Sequence, residues 1–255
     1  MLSSLSRRLD LAQRRLRFAL TASPLNPRRL PTLKPERFAG RRVILIGPAD
    51  TVTDDLAGVD VDAYDVIVRL NSGLFLADRD PARLGSRTDV LFHNLNEEGP
   101  RSAGAIPPPV LKRHGVHTVV FPHWSFKGSK ARVHRKRKEL EGSGIALNVP
   151  SVRFCTQLRR DLADHQPTVG TSAMAWLLGC DLAELAIHGF TFFSTPYAPS
   201  YNDQVRTGAE AMAWAAASEV HDPALEKPLI ARRVREAEGR GMTVCLGRNV
   251  RPHLI

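Results

Sequence analysis

Three short stretches of this 255-residue chain carry residue types that can do chemistry. Pro167-Thr168-Val169-Gly170-Thr171-Ser172 sets small and hydroxyl-bearing residues before the apolar run Ala173 to Leu178. A helix opening there presents free backbone N–H groups, which hold an anion such as a nucleotide phosphate. Taken alone, the same pattern fits a capped helix packed under the core. Asp60-Val61-Asp62 places two carboxylates one residue apart, a spacing that can hold a divalent metal on a diphosphate, because hard cations favour carboxylate oxygens. Asp78-Arg79-Asp80 repeats the spacing and reads as a solvated turn. The third stretch is Val43-Ile44-Leu45-Ile46, four apolar residues that stop at Gly47-Pro48-Ala49-Asp50.

The elements that must position these residues follow from the apolar pattern. A four-residue run without polar alternation predicts a strand buried on both faces, as in a parallel sheet covered by helices. Further strands are predicted at Asp65–Arg69, Asp89–His93, His117–Phe121 and Glu184–His188. Ligands of such sheets bind beyond the carboxyl ends of the strands. One rim is therefore expected to collect Gly47, Asn71 and the Gly85 turn, together with the Phe121-Pro122-His123-Trp124 exit. The glycine- and proline-rich segment Asn94 to Pro109 reads as a surface loop able to close over a ligand. A doubly wound, mostly parallel Rossmann-like α/β fold with helices on both faces is the expectation.

Read together, these segments resemble the sialylmotifs of the family 29 glycosyltransferases, the sialyltransferases. Asp62-Ala63-Tyr64-Asp65-Val66-Ile67-Val68-Arg69-Leu70-Asn71 and Gly85-Ser86-Arg87-Thr88 are similar to two blocks of the large motif. In the first block the family's asparagine is Pro48 here. Pro167-Thr168-Val169-Gly170, Cys180-Asp181 and Gly189-Phe190 resemble the small motif, with Val169 where the family has a hydroxyl residue. Ser200-Tyr201-Asn202-Asp203 resembles its H-Y-Y-D motif with the histidine replaced, and His221-Asp222-Pro223-Ala224-Leu225-Glu226 its H-x-x-x-x-E motif. The resemblance spans Val43 to Glu226 and implies inverting transfer of sialic acid, or of a related keto sugar acid such as that of bacterial lipopolysaccharide cores. The donor would be the CMP-activated sugar, the acceptor a glycan or glycolipid hydroxyl.

By the same resemblance His221 is the base, since an imidazole titrating near neutrality can take the acceptor proton. Gly47, Asn71, Thr168, Val169, Gly170, Gly189, Phe190 and Tyr201 would meet the donor. Arg69, Ser86, Asp203 and Glu226 would support them. In many animal members the small-motif cysteine pairs with one in the large motif. Here Val43 stands opposite Cys180, so no such bridge is expected. No metal or other cofactor is implied, because a monophosphate leaving group needs no diphosphate clamp.

Composition narrows the remaining classes. Three cysteines without a CxxC pair argue against zinc and disulfide scaffolds. No apolar run approaches the roughly 20 residues of a membrane span, and Met1 to Pro24 lacks the core of a secretory signal. A cytoplasmic protein is the expectation. Its formal charge of +10 is concentrated in two places: residues 1–22 carry five arginines against Asp10, and residues 127–138 carry seven lysines or arginines with no acid. The first reads as a basic amphipathic arm that either lies on an anionic membrane surface or docks on the domain. A proline-rich linker is expected over 23–37 and a catalytic α/β domain over 38–255. Gly47-Pro48-Ala49-Asp50 lacks the later glycines of a dinucleotide fingerprint. Nucleic-acid binding would rest on Lys136, Arg137 and Lys138, without interleaved aromatic residues on which bases could stack.

Overall fold

The computed structural model of the protein describes residues 30–99, 102–126, 128–217 and 220–255. The basic arm 1–22 and Lys127 lie outside the described residues. Seven strands, β1 (Arg42–Ile46), β2 (Val66–Leu70), β3 (Val90–Phe92), β4 (Thr118–Val120), β5 (Ala146–Asn148), β6 (Glu184–His188) and β7 (Thr243–Leu246), form one sheet. Their order is β5-β4-β3-β2-β1-β6-β7. Every neighbouring pair is parallel, so the mostly parallel sheet expected from the sequence is wholly parallel.

The apolar run of β1 explains its central place. Val43 and Leu45 enter one apolar cluster with Trp176 and Ile187, while Ile44 and Ile46 enter another with Val52 and Leu56 on the opposite face. Burial of such side chains contributes about 1.5–3 kcal/mol each. A polar residue anywhere in the run would forfeit that gain on one face or the other. The longer helices are α1 (Ser129–Glu139), α2 (Val152–Asp161), α3 (Val169–Leu177), α4 (Gly208–Ala216) and α5 (Pro223–Gly239). The order of strands reverses between β1 and β6, and the crevice beyond their carboxyl ends is where such a sheet has room for a ligand.

Gly47 and Gly189 close the gap between these two strand ends. The Gly47 amide donates to the His188 carbonyl at 2.8 Å, and the Ala49 amide to the Gly189 carbonyl at 3.0 Å. A Cβ on Gly47 would stand 2.3 Å from the Gly189 carbonyl oxygen, and Gly189 itself has φ +73°. Only residues without side chains allow this approach.

Several expectations are corrected. The Gly85 turn leads into β3, so it lies at the amino end of the parallel sheet, opposite the rim of Gly47 and Asn71. The segment 94–109 is a loop anchored in the core, with Leu95 and Ile106 fully buried while Glu98, Gly99, Ser102 and Ala105 are exposed. From residue 30 onward the expected linker is docked: Leu33 is buried, and the Val149 amide and carbonyl pair with Pro31 and Leu33 at 3.0 and 2.8 Å. The basic run does form a helix, α1, but its Lys136 is buried against Glu97 and Glu139 at 2.7 Å from each. It is therefore absent from any surface that could meet nucleic acid. The cysteines are free, with Cys155 and Cys180 buried and Cys245 half-buried. Among the described residues no helix is long and apolar enough to cross a membrane.

Candidate active site

A cavity of about 380 Å³ opens at the carboxyl rim of the sheet. Its walls come from the ends of β1, β2 and β6, the first turn of α3, the 197–202 turn, and the residues before α5. Asn71, Thr168, Val169, Gly170, Gly189, Phe190, Tyr201, His221 and Glu226 all line it. These come from positions spread over more than 150 residues of chain.

The first turn of α3 brings unladdered backbone N–H groups to the cavity. Thr168 caps the helix, its hydroxyl accepting from the Thr171 amide at 3.1 Å. The Ser172 amide begins the intrahelical ladder on the Thr168 carbonyl at 2.9 Å. The amides of Val169 and Gly170 precede that ladder, where a helix leaves its N–H groups open. Gly170 also lets the Phe190 ring close in, because a Cβ there would meet it at 3.0 Å. Behind this turn sits Glu226, 2 % exposed. Its carboxylate accepts from the Thr168 amide (2.7 Å), the Thr168 hydroxyl (2.7 Å) and the Thr171 hydroxyl (2.5 Å). Burial raises the Glu226 pKa above the usual carboxylate value, against the opposing pull of those three hydrogen bonds.

His221 is tied to the same unit. Its Nδ1 lies 2.7 Å from the Gln166 carbonyl, and the Gln166 amide donates back to the Val220 carbonyl at 2.8 Å. A carbonyl only accepts, so Nδ1 carries a proton, and the lone pair of the neutral form of the ring belongs to Nε2. A second imidazole, His123, stands with its ring 6.4 Å from that of His221. Its Nε2 donates to the Pro167 carbonyl at 2.9 Å, and its Nδ1 accepts from the Gln166 side chain at 3.3 Å. Burial, then the neighbouring His221, pushes the His123 pKa down to about 3. His123 is thus a neutral strut under the Gln166-Pro167 segment.

Asn71 has φ +48°, a left-handed conformation that asparagine tolerates better than most residues. Its side-chain oxygen accepts from the Asn94 amide at 3.1 Å, and its Nδ2 donates to the Tyr201 hydroxyl at 3.4 Å. Burial raises the Tyr201 pKa, which keeps the hydroxyl a donor. Tyr197 packs beside it with ring centroids 5.1 Å apart, and both rings line the cavity.

The remaining expected site residues stand elsewhere. Gly47 packs against Gly189 and is not part of the cavity wall, although Pro48 and Ala49 are. Arg69 is fully buried, with Nε donating to the Thr88 hydroxyl at 3.0 Å and Nη2 to the Leu84 carbonyl. Desolvation lowers its pKa to about 10, and its work is to brace the turn before β3. The Ser86 amide donates to both Asp62 carboxylate oxygens at 3.1 and 2.9 Å, at that same amino end. Asp203 accepts from the Ser200 amide at 2.7 Å and fixes a turn in which Ser200 has φ +71°. Asp62 also meets Arg87 at 3.5 Å, so the Asp60-Asp62 pair faces away from the cavity. The sequence reading placed His123 on the rim without a role and missed Tyr197 and Arg132, and all three line the cavity. His123 carried a signal, since it ends a predicted strand on the expected rim.

The wholly parallel sheet, its switch point and the cavity beyond it define an α/β domain of the architecture found in sialyltransferases. No family profile matches the sequence, and no curated protein matches it. A crystal structure of a mammalian sialyltransferase in complex with Gal-beta-1-3GalNAc-ortho-nitrophenol is similar over 91 % of this chain and 78 % of that one, at 17 % identity and TM-score 0.50. The sialyltransferase CstII from Campylobacter jejuni, solved with the substrate analogue CMP-3FNeuAc, covers 81 % and 80 % at 11 % identity and TM-score 0.47.

Proposed function

We propose that this chain is a sialyltransferase-like glycosyltransferase, a divergent relative of the family 29 enzymes. It transfers sialic acid or a related keto sugar acid from its CMP donor to a glycan hydroxyl, with inversion. In this reading the open amides of Val169 and Gly170 and the Tyr201 hydroxyl receive the donor phosphate. Asn71 holds the donor beside them. Nε2 of His221 takes the proton of the acceptor hydroxyl as its oxygen bonds to the anomeric carbon. The carbon–oxygen bond to the phosphate breaks on the other side, and its electron pair leaves with CMP.

One observation carries the reading: the segment that orients His221 through the Gln166 carbonyl runs directly into the Thr168 cap of the anion-binding turn. Base and phosphate cradle are therefore one rigid piece. The purified protein should release CMP from CMP-sialic acid when a glycan acceptor is present. His221→Ala should lower that rate by roughly 10²–10⁴, the usual range for a general base. Equal rates for the two proteins would remove His221 from this role.

The reading needs no metal, so turnover should be unchanged in a chelator. A loss there would count against the reading. Anchoring of residues 1–22 on an anionic membrane, where glycolipid acceptors reside, belongs to the same proposal.

A further inference from the structure

Helix α1 holds six cations, and the structure puts them in different environments. Lys130, Arg137 and Lys138 are exposed. Arg135 meets Glu97 and Glu98 at 3.9 and 3.4 Å, and Lys136 is buried between Glu97 and Glu139. Arg132 lies one turn before Lys136 on the same helical face. The buried Lys136 pair fixes that face against the 94–106 segment, and this turns Arg132 toward the cavity.

Arg132 is half-buried, and no carboxylate lies within ion-pairing distance of it among the described residues. One guanidinium N–H donates to the Asn94 carbonyl at 3.0 Å, and the group sits 5.7 Å from the centre of the Phe121 ring. Four of its five N–H donors remain for other partners. A partly desolvated cation of this kind is stabilised by an anion that enters its site.

Its location separates that anion from the donor phosphate. Arg132 donates to the Asn94 carbonyl just past β3 and lies over the ring of Phe121 just past β4, which packs on His123, whose ring is 6.4 Å from His221. It therefore lies on the β3–β4 side of the base, while the α3 turn packs on Phe190 beyond β6. A keto sugar acid carries a carboxylate on the carbon that is attacked, and an acidic acceptor sugar would bring one close by.

We propose that Arg132 determines specificity by seating a sugar carboxylate beside His221, either that of the donor or that of an acidic sugar at the acceptor end. The inference rests on the function proposed above. Calorimetry with CMP and with a 3-fluorinated CMP-sialic acid, on the wild type, Arg132→Gln and Arg132→Lys, tests the donor arm. Turnover with a neutral lactoside and with a sialylated acceptor tests the other.

If the donor carboxylate is the ligand, Arg132→Gln loses roughly 10- to 100-fold in affinity for the CMP-sugar while its affinity for CMP is kept. Arg132→Lys recovers part of the loss. If the acceptor carboxylate is the ligand, donor binding is unchanged and kcat/KM falls by a similar factor for the sialylated acceptor alone. Lys138→Gln on the exposed face is the control for general effects of charge. Unchanged values in both arms overturn the assignment and leave the proposed function standing. A wild type that binds neither CMP nor the CMP-sugar defeats the function itself, and the role of Arg132 with it.

Discussion

Replacing Glu226 by alanine tests whether the first turn of α3 is held from behind. The substitution strips acceptors from three donors, the Thr168 amide and the hydroxyls of Thr168 and Thr171. At about 1 kcal/mol net per hydrogen bond, the loss is about 3 kcal/mol. A protein of this size melts roughly 2–4 °C lower for each kcal/mol, so the expected fall in Tm is about 6–12 °C. Glu226→Gln keeps an oxygen for the Thr168 amide and should lose about 1 kcal/mol at most.

The pH dependence carries its own sign. The folded-state pKa of Glu226 is raised by burial, so its contribution is fully present below the unfolded-state pKa and is lost as pH rises through the folded one. The wild type should therefore lose its advantage over Glu226→Gln as pH rises from about 4.5 toward neutrality. Thermal melts read by circular dichroism at several pH values, paired with CMP titrations, measure both effects. An alanine variant that melts within 1–2 °C of the wild type, roughly the size of an ordinary surface change, and binds CMP equally well would refute the reasoning.

Other expectations follow from the same geometry. His93 and His123 are buried neutral, with pKa values pushed down to about 4 and about 3. Stability should then fall as pH drops below about 6.5, by up to about 1.4 kcal/mol per pH unit for each histidine, and urea titrations at pH 7, 6 and 5 should show His123→Gln to be less acid-sensitive. Gly47→Ala drives a methyl into the Gly189 carbonyl and should destabilise the protein by roughly 1–3 kcal/mol, visible in a thermal melt. Lys136→Met leaves Glu97 buried without its closest partner and should cost about 3–5 kcal/mol in urea unfolding, against about 0.5 kcal/mol or less for Lys138→Gln.

The strands that could be read from sequence are those buried on both faces. β1, β2 and β6 are five residues long with three or four apolar residues each, and their cores were legible without any other information. β5 and β7 are the sheet edges, three and four residues long, and Ala146-Leu147-Asn148 offers no pattern that separates a strand from a loop. The Gly85 turn was misplaced for a topological reason: it resembles a ligand-binding turn locally, but a turn that enters a parallel strand lies opposite one that leaves it.

The cavity was legible where backbone geometry defines it, at Asn71, Thr168 to Gly170 and Gly189. Arg132 was hidden by its neighbours, because seven like charges in one run look equivalent until packing assigns each an environment. Tyr197 acts through contacts with residues far along the chain, and no local spacing announces those. Arg69 was expected only in support, and what it supports, the turn before β3, is shown by its hydrogen bonds to the Leu84 carbonyl and the Thr88 hydroxyl.

The Glu226 clasp has a consequence for biosynthesis. Because the carboxylate that finishes the turn at Thr168 stands 58 residues further along the chain, a ribosome completes the cradle only after most of the domain has emerged. A nascent or truncated chain that stops short of this glutamate would have every strand up to β6 and still lack the acceptor that ties down Thr168 and Thr171.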